Sequence, residues 1–144
     1  MSKVGTVQKL FISIKDKGRK SKNELLLDEN GVCNDKFYAK NSSRAILLTS
    51  LDSYKIAKEN GIDAKASDLG ENILIDINPY HLTIGDKIAI GDVILEITHN
   101  CTLCKSLAKV DVKLPEILKN DRGIFAKTLK SGTIKIGDKV SIEK

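Results

Sequence analysis

The feature that most constrains the fold is a repeated pattern of short β-branched runs that turn at glycine–aspartate corners. The segment LTIGDKIAIGDVILEIT (82–98) has this pattern, and IKIGDKVSI near the C-terminus repeats it. Gly85, Gly91 and Gly137 each precede an aspartate, and glycine adopts the positive φ that tight turns require without a Cβ clash. These segments therefore predict short strands joined by hairpin-like turns.

Further segments have the β-branched and alternating character of strands. They lie at 4–14, 24–32, 45–50, 72–77 and 123–142. The second of them ends in an Asn-Gly turn signal at Asn30 and Gly31. The intervening segment KDKGRKSKN is polar and basic, so it predicts a turn or loop.

Two segments predict helices. LDSYKIAKENGID (51–63) can begin at a cap formed by Ser50 or Asp52, and Gly61 suits its end. At helical spacing, its residues Leu51, Tyr54 and Ala57 share one face. A shorter helix is expected in LPEILKN, where Pro115 falls near the first turn.

Many short strands with one or two helices predict a mainly β protein with minor α structure, as a β-barrel or a strongly coiled sheet. The regular β-α-β alternation of a doubly wound fold is missing. The length of 144 residues predicts a single domain, 1–144, that can bury a core. A content of 41% hydrophobic and 30% charged residues is typical of a globular chain and argues against disorder.

The charge pattern bears on possible partners. The formal net charge is +5, but the lysines are dispersed and tryptophan is absent. Nucleic-acid binding usually requires a concentrated basic face or a recognisable motif, so we expect no nucleic-acid partner. A small phosphate-bearing ligand would suit the same charge. No apolar stretch is long enough to span a bilayer and no secretion signal is seen, so we expect a cytoplasmic protein without membrane contact.

The chain has three cysteines, Cys33, Cys101 and Cys104. An odd number without a secretion signal argues against a disulfide framework. Cys101 and Cys104 stand two residues apart in HNCTLC (99–104), directly after the apolar run DVILEIT. This C-x-x-C motif allows a thiol–disulfide oxidoreductase, although the βαβ context of thioredoxin-like proteins is missing.

Other roles for the pair remain open. Zinc is possible because two cysteines supply half of the four ligands of a structural site, and His99, His81 and Cys33 could complete it. Both thiols could instead be small buried residues. The neighbouring His99 and Lys105 favour a nucleophilic thiol or a soft-metal ligand, since a nearby cation stabilises the thiolate.

Three ordered segments carry a resemblance to a known family. GENILIDI (70–77), the cysteine segment and RGIFAKTLKSGTIKIGDKV (122–140) together resemble the MOSC domain. This is the C-terminal domain of molybdenum cofactor sulfurases, and it also occurs as small free-standing bacterial proteins. Upstream, GVCNDKFYAKNSSRAILLTS is similar to a family segment in which an aspartate and then an arginine precede an apolar strand, here Asp35 and Arg44. The resemblance implies a MOSC-type β-barrel-like fold.

The resemblance also implies a pocket for the molybdenum cofactor (molybdopterin) or a related sulfur-bearing ligand. Its characteristic cysteine, matched here by Cys104, carries sulfur as a persulfide or binds molybdenum directly, and Cys101 matches an accompanying thiol. The residues that fall on family motif positions are Asp35, Arg44, Glu71, Asn72, Arg122 and Gly123. Pyridoxal phosphate is linked to the family through a separate domain that supplies sulfur, and this chain is too short to contain that domain. Two positions depart from the family pattern: Leu103 stands where Arg or Pro is frequent, and Asn34 where glycine is usual.

The chemistry of these residues suits that function. A soft thiolate suits molybdenum or sulfane sulfur. Arg44 and Arg122 could hold a pterin phosphate by charge-assisted hydrogen bonds, and Asn72 could face a pterin edge. Without a ligand role, Arg44 would pair with Asp35 at the surface, Asn72 would form a turn, and Arg122 would cap the preceding helix.

We therefore expect a protein that binds a molybdenum-cofactor-type ligand and handles sulfur on Cys104, with a desulfurase as a possible sulfur donor. Its class would be a sulfurtransferase or a component of a molybdenum-dependent reductase. The alternatives are a cofactor carrier or zinc module without turnover, and a thiol–disulfide oxidoreductase that uses Cys101 and Cys104.

Overall fold

The structure is a computed structural model that describes residues 2–40, 44–100, 111, 113–118 and 121–143. In chain order the elements are β1 (Ser2–Ile14), β2 (Gly18–Lys22), β3 (Glu24–Asp28), β4 (Gly31–Val32), β5 (Ile46–Ser50), α1 (Leu51–Glu59), β6 (Ile73–Ile75), β7 (Lys87–Ile90), β8 (Val93–Asn100), α2 (Leu114–Ile117), β9 (Ile124–Lys130), β10 (Gly132–Lys135) and β11 (Lys139–Glu143).

Seven strands close into a barrel in the order β11-β7-β8-β9-β5-β6-β1, and the β1–β11 pairing completes it. The 13-residue β1 makes closure possible because successive parts of it pair with three strands. Residues 2–6 pair with β11, the middle of β1 pairs with β6 across an irregularity between Val7 and Lys9, and residues 10–14 pair with β2. A second sheet, β10-β3-β4, packs beside the barrel.

The barrel interior is filled by aliphatic side chains that alternate along the strands. Fully buried members include Leu10, Ile46, Leu48, Ile73, Ile75, Ile88, Leu95 and Ile97. Burying each such side chain stabilises the fold by about 1.5–3 kcal/mol. The mainly β, barrel-type architecture predicted from the sequence is therefore confirmed.

Helix α1 connects the parallel strands β5 and β6, which gives one β-α-β crossover within an otherwise antiparallel barrel. The Ser50 hydroxyl caps the helix by accepting from the Asp52 amide at 3.1 Å, as predicted. Gly61 follows the helix with φ 77° and suits its end, also as predicted. The predicted shared face is wrong in part, because Leu51, in the first turn, is 40% exposed while Ala57 is buried. α1 packs on α2 through a smaller apolar cluster that contains Ala57 and Leu114.

The predicted strands are present, and Gly85, Gly91 and Gly137 have φ values of 94°, 56° and 91° as their turns require. The turn or loop predicted at 15–23 is correct for residues 15–17, which form a turn, but wrong for Gly18–Lys22, which forms β2. The reason is non-local: β1 extends beyond the barrel, and its last five residues provide an edge on which this polar segment pairs. No helix in the described ranges is long and apolar enough to cross a membrane.

Candidate functional site

A buried polar cluster lies where β1, β5 and β6 meet. We call it the polar cluster; its members are Ser13, Arg19, Asp35, Thr49, Tyr54, Glu71 and Asn72. Three of these, Asp35, Glu71 and Asn72, are site residues predicted from the sequence. Glu71 and Asn72 are consecutive in sequence, and Asp35 precedes Glu71 by 36 positions. The fold therefore brings two distant motifs together.

Asn72 connects three segments through its side chain. Its backbone amide donates to the Leu47 carbonyl at 2.9 Å, and its Oδ1 accepts from the Leu47 amide at 3.1 Å. Its Nδ2 donates to the Phe11 carbonyl at 3.2 Å and to Asp35 Oδ1 at 3.4 Å. The side chain thus adds hydrogen bonds to β1 and β5, the two strands that flank β6, at the point where β6 begins. Asn72 is more than a turn residue.

Asp35 is also buried and anchors its loop. Its Oδ1 accepts from the Ser13 amide at 2.6 Å, and its Oδ2 accepts from the Phe37 amide at 3.0 Å. The preceding Asn34 has φ 70°, a left-handed conformation that favours glycine and that asparagine tolerates better than most residues. This explains why asparagine can stand where glycine is usual in the resembling family.

Glu71 is fully buried, and its two carboxylate oxygens have different surroundings. Oε2 accepts from Thr49 Oγ1 at 2.7 Å and from the Tyr54 hydroxyl. Oε1 is buried without a hydrogen-bond partner in the part of the chain that the structure describes. Burial, and then the neighbouring Glu71 carboxylate, raise the pKa of Tyr54 well above its usual range, so Tyr54 stays protonated and donates.

Arg19 is a member of the polar cluster that the sequence analysis missed. Its Nη1 donates to Ser13 Oγ at 2.7 Å, its Nη2 donates to the Glu71 carbonyl, and its Nε approaches Ser67 Oγ at 3.4 Å. The guanidinium also lies 5.7 Å from the Phe11 ring centroid. Burial lowers the pKa of Arg19, and the Glu71 carboxylate partly offsets this. The sequence contains a signal that could have identified Arg19. Only three of the 24 Lys and Arg residues are arginines. The planar guanidinium group of arginine makes several directed hydrogen bonds that a lysine ammonium cannot make.

The other predicted residues that the structure describes lie directly before β5 and β9. Gly123 has φ 147°, and a Cβ there would lie 2.9 Å from Leu47 Cδ1, so Leu47 connects Gly123 with Asn72. Arg44 is exposed, and its guanidinium lies 5.9 Å from the Phe125 ring centroid. The surface ion pair of Arg44 with Asp35 is not formed between these two described residues. Arg122 is half-buried beside Gly123.

Of the three cysteines, Cys33 lies within the described residues. Cys101 and Cys104, the predicted catalytic thiols, lie outside the described residues, as does Lys105. They follow β8, which ends at Asn100 paired with Ile124, close to Gly123 in sequence. Among the described residues, no group of three or more His, Cys, Asp or Glu side chains is arranged to hold a metal.

Cys33 is the described free thiol. Its Sγ lies 3.6 Å from Asp28 Oδ2, and burial and then the Asp28 carboxylate raise its pKa. Because thiolate is the nucleophilic form, Cys33 is poorly suited to sulfur chemistry near neutral pH.

The fold and the polar cluster together define a small closed β-barrel protein in which motifs distant in sequence meet beside β1, β5 and β6. The MOSC domain family model matches residues 34–141, and the chain belongs to the MOSC domain family. All six predicted cofactor-binding residues and the C-x-x-C pair lie within this match. None of the curated proteins matches the chain.

Solved structures share the fold at low sequence identity. The YuaD protein from Bacillus subtilis superposes with a TM-score of 0.85 at 18% identity, covering 99% of this chain and 97% of that one. YiiM from Escherichia coli superposes with a TM-score of 0.73 at 17% identity, covering 99% of this chain and 70% of that one. YiiM from Geobacillus stearothermophilus superposes with a TM-score of 0.70 at 14% identity, covering 97% of this chain and 73% of that one.

Proposed function

We propose that this protein binds a molybdenum-cofactor-type ligand and carries sulfur as a persulfide on Cys104. The observation that supports this most is the convergence of separate MOSC motifs on one strand. Asn72 binds the backbone of Leu47, and Gly123 packs against the side chain of the same residue. Family membership supplies the ligand class, because MOSC domains are associated with the molybdenum cofactor.

The polar cluster divides into positioning and contacting groups. The Asp35 oxygens and the Asn72 amide already bind protein groups, so we assign them to holding the loops in place. Glu71 Oε1 is a buried acceptor without a described donor, and a pterin ring brings the N–H donors that such an oxygen needs. Arg44 and Arg122 would hold the ligand phosphate. When bound, the cofactor supplies a redox-active metal with sulfur ligands.

The sulfur step uses the C-x-x-C pair. The Cys104 thiolate attacks the outer sulfur of a donor persulfide, the donor S–S bond breaks, and the donor leaves as its thiolate. Cys101 then attacks the inner sulfur of the Cys104 persulfide, which releases hydrosulfide and leaves a Cys101–Cys104 disulfide. A pyridoxal phosphate-dependent desulfurase is the proposed donor, and the cytoplasm is the proposed location.

Persulfide mapping tests the role of Cys104. After exposure to a persulfide donor, we expect sulfane sulfur on the peptide that contains Cys104 in the wild type and none there in Cys104→Ala. Cys101→Ala should retain the persulfide longer, because the resolving thiol is lost. Cys33→Ala is the matched control and should label as the wild type does. Equal total labelling of the wild type and Cys104→Ala would remove Cys104 from this role.

Retention of the ligand tests the binding proposal separately. Gently purified protein should contain pterin and molybdenum, measured by pterin fluorescence after oxidation and by elemental analysis. Arg44→Ala should lower the retained pterin, whereas Lys130→Ala removes an exposed charge near the other end of β9 and should not. Stoichiometric zinc with unreactive thiols would contradict the proposal in favour of a zinc module. A Cys101–Cys104 disulfide that cycles without persulfide would favour an oxidoreductase.

A further inference from the structure

A second buried network of hydrogen bonds lies at the start of α1, outside the polar cluster. The Ser50 backbone amide donates to the Tyr80 hydroxyl at 2.8 Å, and the Tyr80 hydroxyl oxygen lies 2.6 Å from Ser53 Oγ. Ser53 Oγ in turn donates to the Asp121 carbonyl at 2.5 Å. Both serines are fully buried. The network therefore connects the end of β5, the segment that follows β6 and the segment that enters β9.

The protons of this network have one order. A hydroxyl carries a single proton, and Ser53 uses its proton on the Asp121 carbonyl, which cannot donate. Tyr80 must then donate to Ser53, while its oxygen accepts from the Ser50 amide. Burial raises the pKa of Tyr80 well above its usual range, so this proton is kept. Both hydroxyl protons are thus used, and the chain of donors ends on the Asp121 carbonyl.

The register of β5 and β9 explains why a side chain bonds this carbonyl. The two strands are antiparallel and their last pair is Leu48 with Ile124, so continued pairing would place residue 121 opposite residue 51. Because α1 begins at Leu51, the pairing cannot continue that far. Ser53, in the first turn of α1, supplies the donor for Asp121 instead.

The bonded carbonyl bears directly on Arg122. The Asp121 carbonyl and the Arg122 amide belong to one planar peptide unit. The bond from Ser53 therefore fixes the plane from which Arg122 begins, and the close approach of Gly123 to Leu47 restricts the residue that follows. The backbone of Arg122 is held on both sides.

We propose that Ser53 is a positioning residue for the ligand site, which acts through Arg122 and is itself oriented by Tyr80. The proposal rests on the proposed function, in which Arg122 holds the ligand phosphate. The Ser53 hydroxyl sets the direction in which Arg122 leaves the backbone, so that its guanidinium reaches that phosphate. Loss of this hydroxyl leaves the charge of Arg122 in place and removes the support that directs it.

Two serines of the same helix start provide a matched pair of variants. In Ser53→Ala the Asp121 carbonyl loses its donor. Ser50→Ala removes the side-chain cap of α1 but keeps the Ser50 amide, so the bonds of the network remain. Ser53→Ala should lower the pterin retained by gently purified protein about fivefold, the effect of weakening one charge-assisted hydrogen bond. Ser50→Ala should retain as much pterin as the wild type.

Two further measurements accompany these variants. In protein freed of pterin, the NMR shifts of the Asp121 carbonyl carbon and the Arg122 amide nitrogen should move in Ser53→Ala and stay near their wild-type positions in Ser50→Ala. Tyr80→Phe leaves the Ser53 hydroxyl without the donor that orients it, and should lower pterin retention by about twofold. This variant tests the same network if Ser53→Ala does not fold.

A double-mutant cycle separates positioning from a general loss of stability. In an Arg122→Ala background, Ser53→Ala should cause no further loss of retained pterin, since Ser53 acts through Arg122. In an Arg44→Ala background, Ser53→Ala should still lower the retained pterin. A variant that only destabilised the fold would lower retention in both backgrounds.

The outcomes distinguish this proposal from the proposed function. If the wild type retains no pterin, the proposed function is wrong and the positioning role is wrong with it. If the wild type retains pterin, three results overturn the positioning role alone: wild-type retention in Ser53→Ala, an equal loss in Ser50→Ala, or an undiminished loss in the Arg122→Ala background.

Discussion

Glu71 and Asn72 are neighbours in sequence, yet their side chains differ in hydrogen bonding. The side-chain amide of Asn72 forms hydrogen bonds with the backbone of β1 and β5 and with Asp35. Glu71 uses one oxygen for two hydroxyl donors, and its other oxygen has no donor in the described part of the chain. A buried acceptor without a donor costs free energy unless something binds it. Under the proposed function, this unpartnered oxygen is the group of the motif that is left for the ligand.

Gly123 provides a test of local packing. In Gly123→Ala, the Cβ would meet Leu47 Cδ1 at 2.9 Å and the Leu48 carbonyl at 3.3 Å, at a φ of 147°. We expect the free energy of unfolding to fall by about 2–4 kcal/mol, the sum of backbone strain and overpacking. Urea denaturation measures this loss.

Gly137 is the matched control, because it has φ 91° and open space around its Cβ position. Gly137→Ala should cost only about 1 kcal/mol, from the backbone conformation alone. Equal losses for the two variants would show that contact with Leu47 does not restrict position 123.

At the scale of elements, the sequence predicts what local patterns encode. β-branched alternation and glycine–aspartate corners indicate most strands and turns of the barrel. β2 was missed because its residues, GRKSK, contain no apolar side chain, and it forms only because β1 offers an edge. Among the site residues, Asp35 and Asn72 follow from a family resemblance. The bond of Arg19 to Glu71 spans 52 positions, and no local pattern encodes it.

Arg19 joins β2 to the segment that carries Glu71, and this predicts a specific loss. Arg19→Ala should lower the free energy of unfolding by about 1–3 kcal/mol, because buried acceptors lose their donor. It should also speed amide hydrogen exchange in residues 67–73, measured by mass spectrometry. Arg19→Lys should restore little, since one ammonium cannot replace the three separate guanidinium contacts.

The next residue in β2 supplies the control for Arg19. Lys20 is exposed, so Lys20→Ala should change stability by no more than about 0.5 kcal/mol and leave exchange in 67–73 unchanged. If Arg19→Lys behaved as the wild type in both measurements, the positive charge alone would account for the role of Arg19.

At the scale of the whole molecule, the tyrosines connect the buried polar groups to global stability. Burial raises the pKa of Tyr54 and of Tyr80, and a hydrogen bond to Asp28 raises the pKa of Tyr38. A raised pKa means that the folded state keeps a proton that the unfolded chain releases near pH ~10. The stabilisation is therefore complete below that pH and is lost as the pH rises above it.

We expect the free energy of unfolding to fall steeply above pH ~10, and phenolate absorbance to appear together with unfolding. Tyr54→Phe should be less stable at neutral pH by about 1.5–3 kcal/mol, because Glu71 loses a donor. The same variant should have a shallower decline above pH ~10, because one tyrosine no longer releases its proton on unfolding. Tyr38→Phe is the comparison variant, because it removes a tyrosine that is bound to Asp28 and not to Glu71, and its profile should keep the contribution of Tyr54. A Tyr54→Phe profile parallel to that of the wild type, or phenolate of Tyr54 formed near pH ~10 in the folded protein, would contradict the buried hydrogen bond to Glu71.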